Sequence, residues 1–570
     1  MNEKAAQEGR WRRGLVLAAF ALVAFALVAR AVEIQVLDRD FLQTQGQARH
    51  LRVMEVPAHR GMIQDRRGEP VAVSTPVDSI WGHPEELLES DKAVDKLADA
   101  LDRAVDELHE YLEERSEREF VYLKRHLAPE EAEAVLALDL PGVYSQREYR
   151  RYYPAGEVAS QLLGFTNIDD EGQEGLELAY EGWLQGHSGS KEVLRDRLGR
   201  IIDDVESLES PRPGEDLQTS IDLRLQYVAY RELKAAVNEH GADAGSMVLL
   251  DPETGEVLAM VNQPAFNPNN RRGSTTREVR NRATVDLLEP GSAIKPFIAA
   301  AAMEQEPDVV GETFDTSPGE RRFADHSVRD IRDYGELDLT GILAKSSNIG
   351  ITKLAMELEP RDTWQTLEDL GFGSLTASGF PGEAPGHMPH WQDWREIGQV
   401  TNAYGYGLSM TPLQLAKAYA AIANGGEMAE ASLLRRESEP YTRQALSPGV
   451  ADELRSMLEE VVGPGGTGAR AAVPGYRVAG KTGTVVKSGA NGYSEDDYLS
   501  VFAGMLPASD PRLVGVVVID NPRGEDYYGG AVAAPVFSRV MDDAMRLLDV
   551  PRDHIDPDSG AIVVRRGGES

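Results

Sequence analysis

An uninterrupted apolar run from Gly14 to Ala29, preceded by Lys4, Arg10, Arg12 and Arg13, constrains this chain more than any other feature. It has the form of a start-transfer signal. Continuing past Arg30 through Ala31, Val32, Ile34 and Val36, it approaches the roughly 20 residues a helix needs to cross a bilayer, with Arg30 able to snorkel. The pattern predicts a single transmembrane helix over residues 14–36 and a cytoplasmic tail over 1–13. Basic residues before the run, and Glu33, Asp38 and Asp40 after it, predict that the N-terminus stays in the cytoplasm and the bulk is exported. The competing reading is a cleaved secretory signal, because Ala29-Arg30-Ala31 has the small residues of a cleavage site.

The remainder is long enough for two or three domains within 570 residues. Hydrophobic residues at 41% and charged residues at 27% are the proportions of a folded globular protein. A formal net charge of -35 excludes a nucleic-acid partner, since a phosphate backbone is held by clustered Lys and Arg. It also keeps the protein soluble by self-repulsion, which salt screens, so it fits a saline habitat. The chain has no cysteine, which removes disulfides, thiolate nucleophiles and Cys-based metal sites together.

Along the chain, Val94, Leu97, Leu101, Val105, Leu108 and Leu112 recur at helical spacing and predict one strong helix facing a core. Ser210-Pro211-Arg212-Pro213-Gly214-Glu215 reads as a linker, which places a boundary between residues 37–214 and 215–550. Two hairpins follow. Gly245 to Leu250 and Glu256 to Val261 are joined by a Pro/Gly turn, and Leu499 to Leu506 and Leu513 to Ile519 by Pro507 to Pro511. Antiparallel strands therefore bracket a helical middle in an α+β fold. Residues 551–570 are rich in charge and Gly and read as a flexible tail.

Chemistry enters at Glu289-Pro290-Gly291-Ser292-Ala293-Ile294-Lys295-Pro296-Phe297. A helix started by the Pro-Gly turn puts the Ser292 hydroxyl at its positive end and the Lys295 amine one turn along on the same face. A lysine serves as base only when neutral, which desolvation or a neighbouring cation achieves. Ser-x-x-Lys also occurs as a solvated pair in ordinary helices, so the tetrapeptide alone decides little. Ser346-Ser347-Asn348 and then Lys481-Thr482-Gly483-Thr484 complete the order of a nucleophile motif, a Ser-x-Asn motif and a Lys-Thr-Gly motif. With these residues the chain resembles the class B penicillin-binding proteins, and among them the septal D,D-transpeptidases of cell division. Further segments carry the likeness over nearly the whole chain: Arg60-Gly61-Met62-Ile63-Gln64-Asp65-Arg66, Arg151-Tyr152-Tyr153-Pro154, Gly172 to Glu177, Tyr404 to Ala416, and Tyr527-Tyr528-Gly529-Gly530.

The resemblance implies an elongated non-catalytic pedestal over 37–214. It implies a serine β-lactamase-like transpeptidase domain over 215–550, with an antiparallel sheet flanked by helices. It further implies that Ser292 attacks a D-alanyl-D-alanine carbonyl while Lys295 takes its proton. Backbone N–H groups of Ser292 and Thr484 would form the oxyanion hole. Ser346 would relay a proton, Asn348 bind the peptide, and Lys481 orient Ser346 and lower the Lys295 pKa. Thr482, Gly483 and Thr484 would bind substrate along an edge strand, with the two hydroxyls on its terminal carboxylate. No cofactor or metal is implied; His387 and His390 read as loop polar groups. The implied partners are peptidoglycan stem peptides, β-lactams, the bacterial inner membrane with the catalytic domain periplasmic at the septum, and a divisome glycosyltransferase with regulatory division proteins. Two rivals stand beside this reading: a hydrolase sharing the serine chemistry, and a non-catalytic scaffold or β-lactam sensor.

Overall fold

The computed structural model describes residues 2–33, 35, 51–195, 201–323, 326–489 and 492–554. Residues 34 and 36 at the end of the expected span, the start of the pedestal at 37–50, and most of the expected flexible tail lie outside the described residues. Helix α1 (Asn2–Val32) contains the apolar run, and its stretch Gly14–Val32 has a mean hydropathy of 2.5. At about 1.5 Å per residue those 19 residues reach nearly the roughly 30 Å of a bilayer's hydrocarbon core. Large side chains such as Phe20 and Phe25 stand exposed along it.

The chain folds into two compact units. The first comprises Met1–His59, Pro76–Tyr149 and Gly186–Gly214. In it, strands Leu51–Val56, Gly189–Arg195 and Ile201–Glu209 form an antiparallel sheet, and residues 78–82 pair with strand Val121–Leu127. The single helix expected over 94–112 is two, α2 (Asp91–Leu101) and α3 (Val105–Glu113). Asp102 breaks it by adopting a left-handed backbone (φ 54°) as the C-cap of α2. The apolar stripe survives the break. Val94, Leu97, Leu101, Leu108 and Leu112 are all buried in one core, and Val105, at the first position of α3, is left exposed.

The second unit comprises Arg60–Thr75, Arg150–Gln185 and Glu215–Ser570. Segments 60–75 and 150–185, which the sequence analysis assigns to the pedestal, pack within this unit through a buried ion cluster. Glu177 accepts from Arg60 Nε (2.8 Å) and Arg151 Nε (2.6 Å), and Arg60 also pairs with Glu181 (2.6 Å). The segments that begin at Arg60, Arg151 and Gly172 therefore meet at one carboxylate. Around them, helix α4 (Leu223–Glu239) leads into strands β1 (Ala244–Leu250) and β2 (Val257–Gln263). Then come α5 (Lys295–Gln305), α6 (Asn348–Glu357) and α7 (Pro412–Ala423). Strands β3 (Ala479–Gly489), β4 (Gly492–Leu506) and β5 (Leu513–Asp520) and helix α8 (Gly529–Leu547) close the unit.

The five strands form one antiparallel sheet in the order β2-β1-β5-β4-β3. Both expected hairpins are present, and the chain's last pairing brings β5 between its first and later strands. Strand β1 is buried at every position and α5 from Lys295 to Met303, as expected of elements packed on both sides. Among the described residues, strand β3 pairs only with β4 and so offers its other edge to a ligand.

Candidate active site

Ser292 sits in a 3-10 turn, Gly291–Ile294, that runs directly into α5. The expectation was an α-helix starting at Ser292. A 3-10 turn has three residues per turn, so it eclipses positions i and i+3 and aligns Ser292 with Lys295 more closely than an α-helix does. The turn is held against a second backbone: Gly291 N–H donates to Gly405 O (3.1 Å), and a β-carbon on Gly405 would lie 2.1 Å from Gly291 O. Gly405 is also at φ +87°, so this position admits glycine alone on two counts.

Lys295 is fully buried. Its Nζ donates to Ser346 O (2.6 Å) and Asn348 Oδ1 (2.7 Å) and lies 3.3 Å from Ser346 Oγ. Those two carbonyl contacts use both N–H groups of a neutral amine and leave its lone pair free. Lys481, also fully buried, approaches the same hydroxyl from β3, with Nζ 2.9 Å from Ser346 Oγ and 3.1 Å from Thr482 O. The Ser346 hydroxyl thus lies between two lysine amines.

Ser346 reaches this position through a left-handed backbone, φ 58°, as the C-cap of the short helix Leu339–Lys345. That conformation costs a non-glycine residue roughly 1–2 kcal/mol. It presents both the carbonyl and the hydroxyl of one residue to the lysines. Ser347 follows as N-cap of α6, its Oγ accepting from Gly350 N–H (2.9 Å).

Burial pulls Lys295 down from the usual lysine range to about 7, against the upward influence of the Asp330 carboxylate. Lys481 falls well below the usual range, first from burial and second from the repulsion of Lys295. The sequence reading credited Lys481 with lowering Lys295; here burial is what lowers it, and the repulsion falls on Lys481. Two ammonium groups around one buried hydroxyl are unfavourable, so the pair sheds a proton near neutrality.

A cavity of about 1510 Å3 opens over these groups, lined by Ser292, Ser346, Asn348, Thr482 and Thr484 among others. Thr484 Oγ accepts from Gly529 N–H (3.0 Å), which leaves its own proton for a ligand. Thr482 Oγ donates to Thr467 Oγ (3.0 Å). A β-carbon on Gly483 would lie 2.8 Å from Pro290 O, so β3 and the nucleophile turn are in direct backbone contact.

The family model described as "Penicillin binding protein transpeptidase domain" matches residues 245–542, and "Penicillin-binding Protein dimerisation domain" matches residues 55–219. The chain belongs to the penicillin-binding proteins. It is 42% identical over 99% of both chains to the "Probable peptidoglycan D,D-transpeptidase PbpC" of Pseudomonas aeruginosa. It is 40% identical to the peptidoglycan D,D-transpeptidase FtsI of Escherichia coli K12, over 98% of this chain and 95% of that one. Its structure is similar to that of penicillin-binding protein 3 of Mycobacterium tuberculosis complexed with aztreonam, with a TM-score of 0.68 at 27% identity, covering 90% of this chain and all of the other.

In this penicillin-binding protein, every candidate from the three motifs lies at one cleft. Sequence reasoning missed Asp330. Its carboxylate accepts from Ser347 Oγ (2.5 Å), Asn348 N–H (2.5 Å) and Ile349 N–H (3.2 Å), so it fixes the start of α6 and with it Asn348. The open N–H groups at a helix start call for such an acceptor, but nothing local to Asp330 names it. Thr467 was missed for the same reason. Tyr498, Tyr527 and Tyr528 form a continuous stack, with centroids 4.1 and 4.5 Å apart, along the cavity wall. Beside them Gly529 packs so tightly that a β-carbon would lie 2.3 Å from Gly483 O and Val501 O. Lys345 donates to Gly465 O (2.8 Å) at the cavity rim.

Proposed function

We infer that this chain is the septal, class B peptidoglycan D,D-transpeptidase of its cell, acting through a Ser292 acyl-enzyme. The observation that carries the reading is the Ser346 hydroxyl held between Lys295 and Lys481 at the cavity that Ser292 lines. Neutral Lys295 takes the Ser292 proton as Oγ attacks the carbonyl between the two terminal D-alanines. The oxyanion is held by the N–H groups of Ser292 and Thr484, donors set in advance by the 3-10 turn and the edge strand. The proton that Lys295 has taken passes through Ser346 to the departing D-alanine amine, with Lys481 orienting the Ser346 hydroxyl. Asn348 holds the donor peptide, and the Thr482 and Thr484 hydroxyls hold its carboxylate. An amine from a neighbouring stem then displaces Ser292, forming the cross-link and restoring the hydroxyl. A β-lactam carbonyl enters the same chemistry and lacks a leaving group that diffuses away.

Helix α1 anchors the chain in the inner membrane with residues 1–13 cytoplasmic and the catalytic unit periplasmic. A glycosyltransferase and regulatory proteins of the division machinery are its partners in this reading, which the likeness to the peptidoglycan D,D-transpeptidases supports. Labelling with a fluorescent penicillin tests the nucleophile: the full chain is expected to label and Ser292→Ala to remain blank. Equal labelling of both would remove Ser292 from its role. Products of a stem-peptide substrate with an acceptor amine separate transfer from hydrolysis, and exclusive hydrolysis would refute the cross-linking step. Mass spectrometry of the mature N-terminus decides between an anchor and a cleaved signal.

A further inference from the structure

Beneath the segment that leads into the nucleophile turn lies a cavity of about 260 Å3, and none of its described lining residues lines the catalytic cavity. Its floor is one end of the central sheet. Ser246 on β1 stands opposite Val518 on β5, and Asp520, next on that face, stands opposite Leu499 on β4, so the four side chains point the same way. Its roof is formed by Leu287 and Leu288 together with Pro412, the first residue of α7. Leu288 N–H donates to Met410 O and Met410 N–H to Leu288 O, each at 2.9 Å, which holds the roof in place.

Two observations mark the cavity as built for a ligand. Ser246 is 2% exposed and lines it, yet among the described residues the Ser246 hydroxyl has no hydrogen-bond partner. A buried hydroxyl left in that state is costly, and an acceptor oxygen placed in the cavity satisfies it. The second observation is charge. Among the described lining residues, Arg280, Arg282 and Lys487 face two carboxylates, Asp286 and Asp520. Asp286 is shared by both arginines, with Arg282 at 2.8 Å, and Asp520 pairs with Lys487 at 2.6 Å. Both acids are thus engaged and one cation is in excess, in a chain whose net charge is -35. Arg282 Nε is buried without a hydrogen-bond partner, and Lys487 has three N–H donors of which Asp520 takes one. Leu287, Leu288 and Leu499 supply apolar contact beside these groups, and a mostly apolar pocket with a few convergent polar groups is the usual form of a small-ligand site.

We propose that this cavity is a second ligand site, separate from the catalytic cleft, that takes a small organic carboxylate with a short apolar body, its carboxylate held by Arg280, Lys487 and the Ser246 hydroxyl. A ligand of the same shape ending in an ammonium meets the excess cation and is disfavoured.

The test uses the full chain in lipid nanodiscs, with protein-free discs as the blank, and measures binding of hexanoate, hexanamide and hexylamine by equilibrium dialysis, with and without saturating benzylpenicillin. Hexanoate is expected to bind about tenfold more tightly than hexanamide, the effect of one charge-assisted contact, with hexylamine weakest and benzylpenicillin without effect. In Arg280→Gln and Lys487→Gln the ratio of hexanoate to hexanamide affinity is expected to collapse toward one; Arg280→Gln leaves Asp286 paired with Arg282. Ser246→Leu fills the cavity and is expected to lose all three ligands together. Should that buried variant fail to fold, the two glutamine variants, at partly exposed positions, decide the matter. Equal affinity for the three ligands, a preference for hexylamine, or an undiminished ratio in both glutamine variants would overturn the assignment. Loss of hexanoate binding when benzylpenicillin is present would place the ligand in the catalytic cleft and overturn it as well.

Discussion

Acylation should switch on through neutral pH because its base is a buried lysine. With Lys295 held at about 7 by burial, the neutral amine amounts to about one tenth of the population at pH 6, half at pH 7 and nine tenths at pH 8. A lysine left at its ordinary 10.5 would be neutral in only about three molecules in ten thousand at pH 7, so burial is worth roughly a thousandfold in available base. The sign is fixed: the reactive form is the deprotonated one, and the rate rises with pH. Asp330→Asn sharpens the test. Its carboxylate raises the Lys295 pKa, so neutralising it moves the midpoint of the profile to lower pH and lifts the rate at pH 6 relative to the plateau. Asparagine keeps a carbonyl oxygen for the N–H groups of Asn348 and Ile349. Because Lys481 shares the Ser346 hydroxyl, the midpoint measured belongs to the lysine pair, but the direction of its movement does not change. Rapid-quench measurement of acylation by a fluorescent penicillin from pH 5.5 to 8.5, on both proteins, reads it directly. A rate flat across pH 6 to 8, or a midpoint that rises in Asp330→Asn, would refute the assignment of Lys295 as base.

Two further substitutions probe what surrounds the chemistry. Gly529→Ala places a β-carbon 2.3 Å from two backbone oxygens, one of them on β3, so strand or loop must move. A displacement of about 1 Å at the reacting groups costs on the order of a hundredfold, and acylation within threefold of the unaltered rate would show that the loop yields harmlessly. Glu177→Gln leaves Arg60 and Arg151 buried without their shared carboxylate and is expected to cost about 3–5 kcal/mol in chemical denaturation. A loss under about 1 kcal/mol would mean that solvent reaches the cluster.

The legible parts of this protein were those whose signal is local. The apolar run, the two hairpins with their Pro/Gly turns and the linear order of the three motifs are each written in short stretches of sequence, whereas the edge position of Lys481 to Thr484 came only with the family resemblance. Local signals failed where the chain bends against its own periodicity. The stripe from Val94 to Leu112 is unbroken in sequence, yet Asp102 turns left-handed and divides the helix while every position of the stripe but Val105 stays buried. The nucleophile turn is 3-10 because it is braced by Gly405, more than a hundred residues away in sequence.

By itself, then, the sequence determined the kind of chemistry: a hydroxyl, two lysines, an asparagine and a threonine-bearing strand in a fixed order, behind an apolar N-terminal helix. Only the tertiary structure decided how those groups act on one another. Burial sets the proton affinity of Lys295, a left-handed Ser346 hands one hydroxyl to two amines, and Asp330, unmarked in the sequence, holds the helix that carries Asn348. Composition and spacing are written residue by residue, but desolvation and charge coupling depend on distances across the folded chain, which no stretch of the sequence contains.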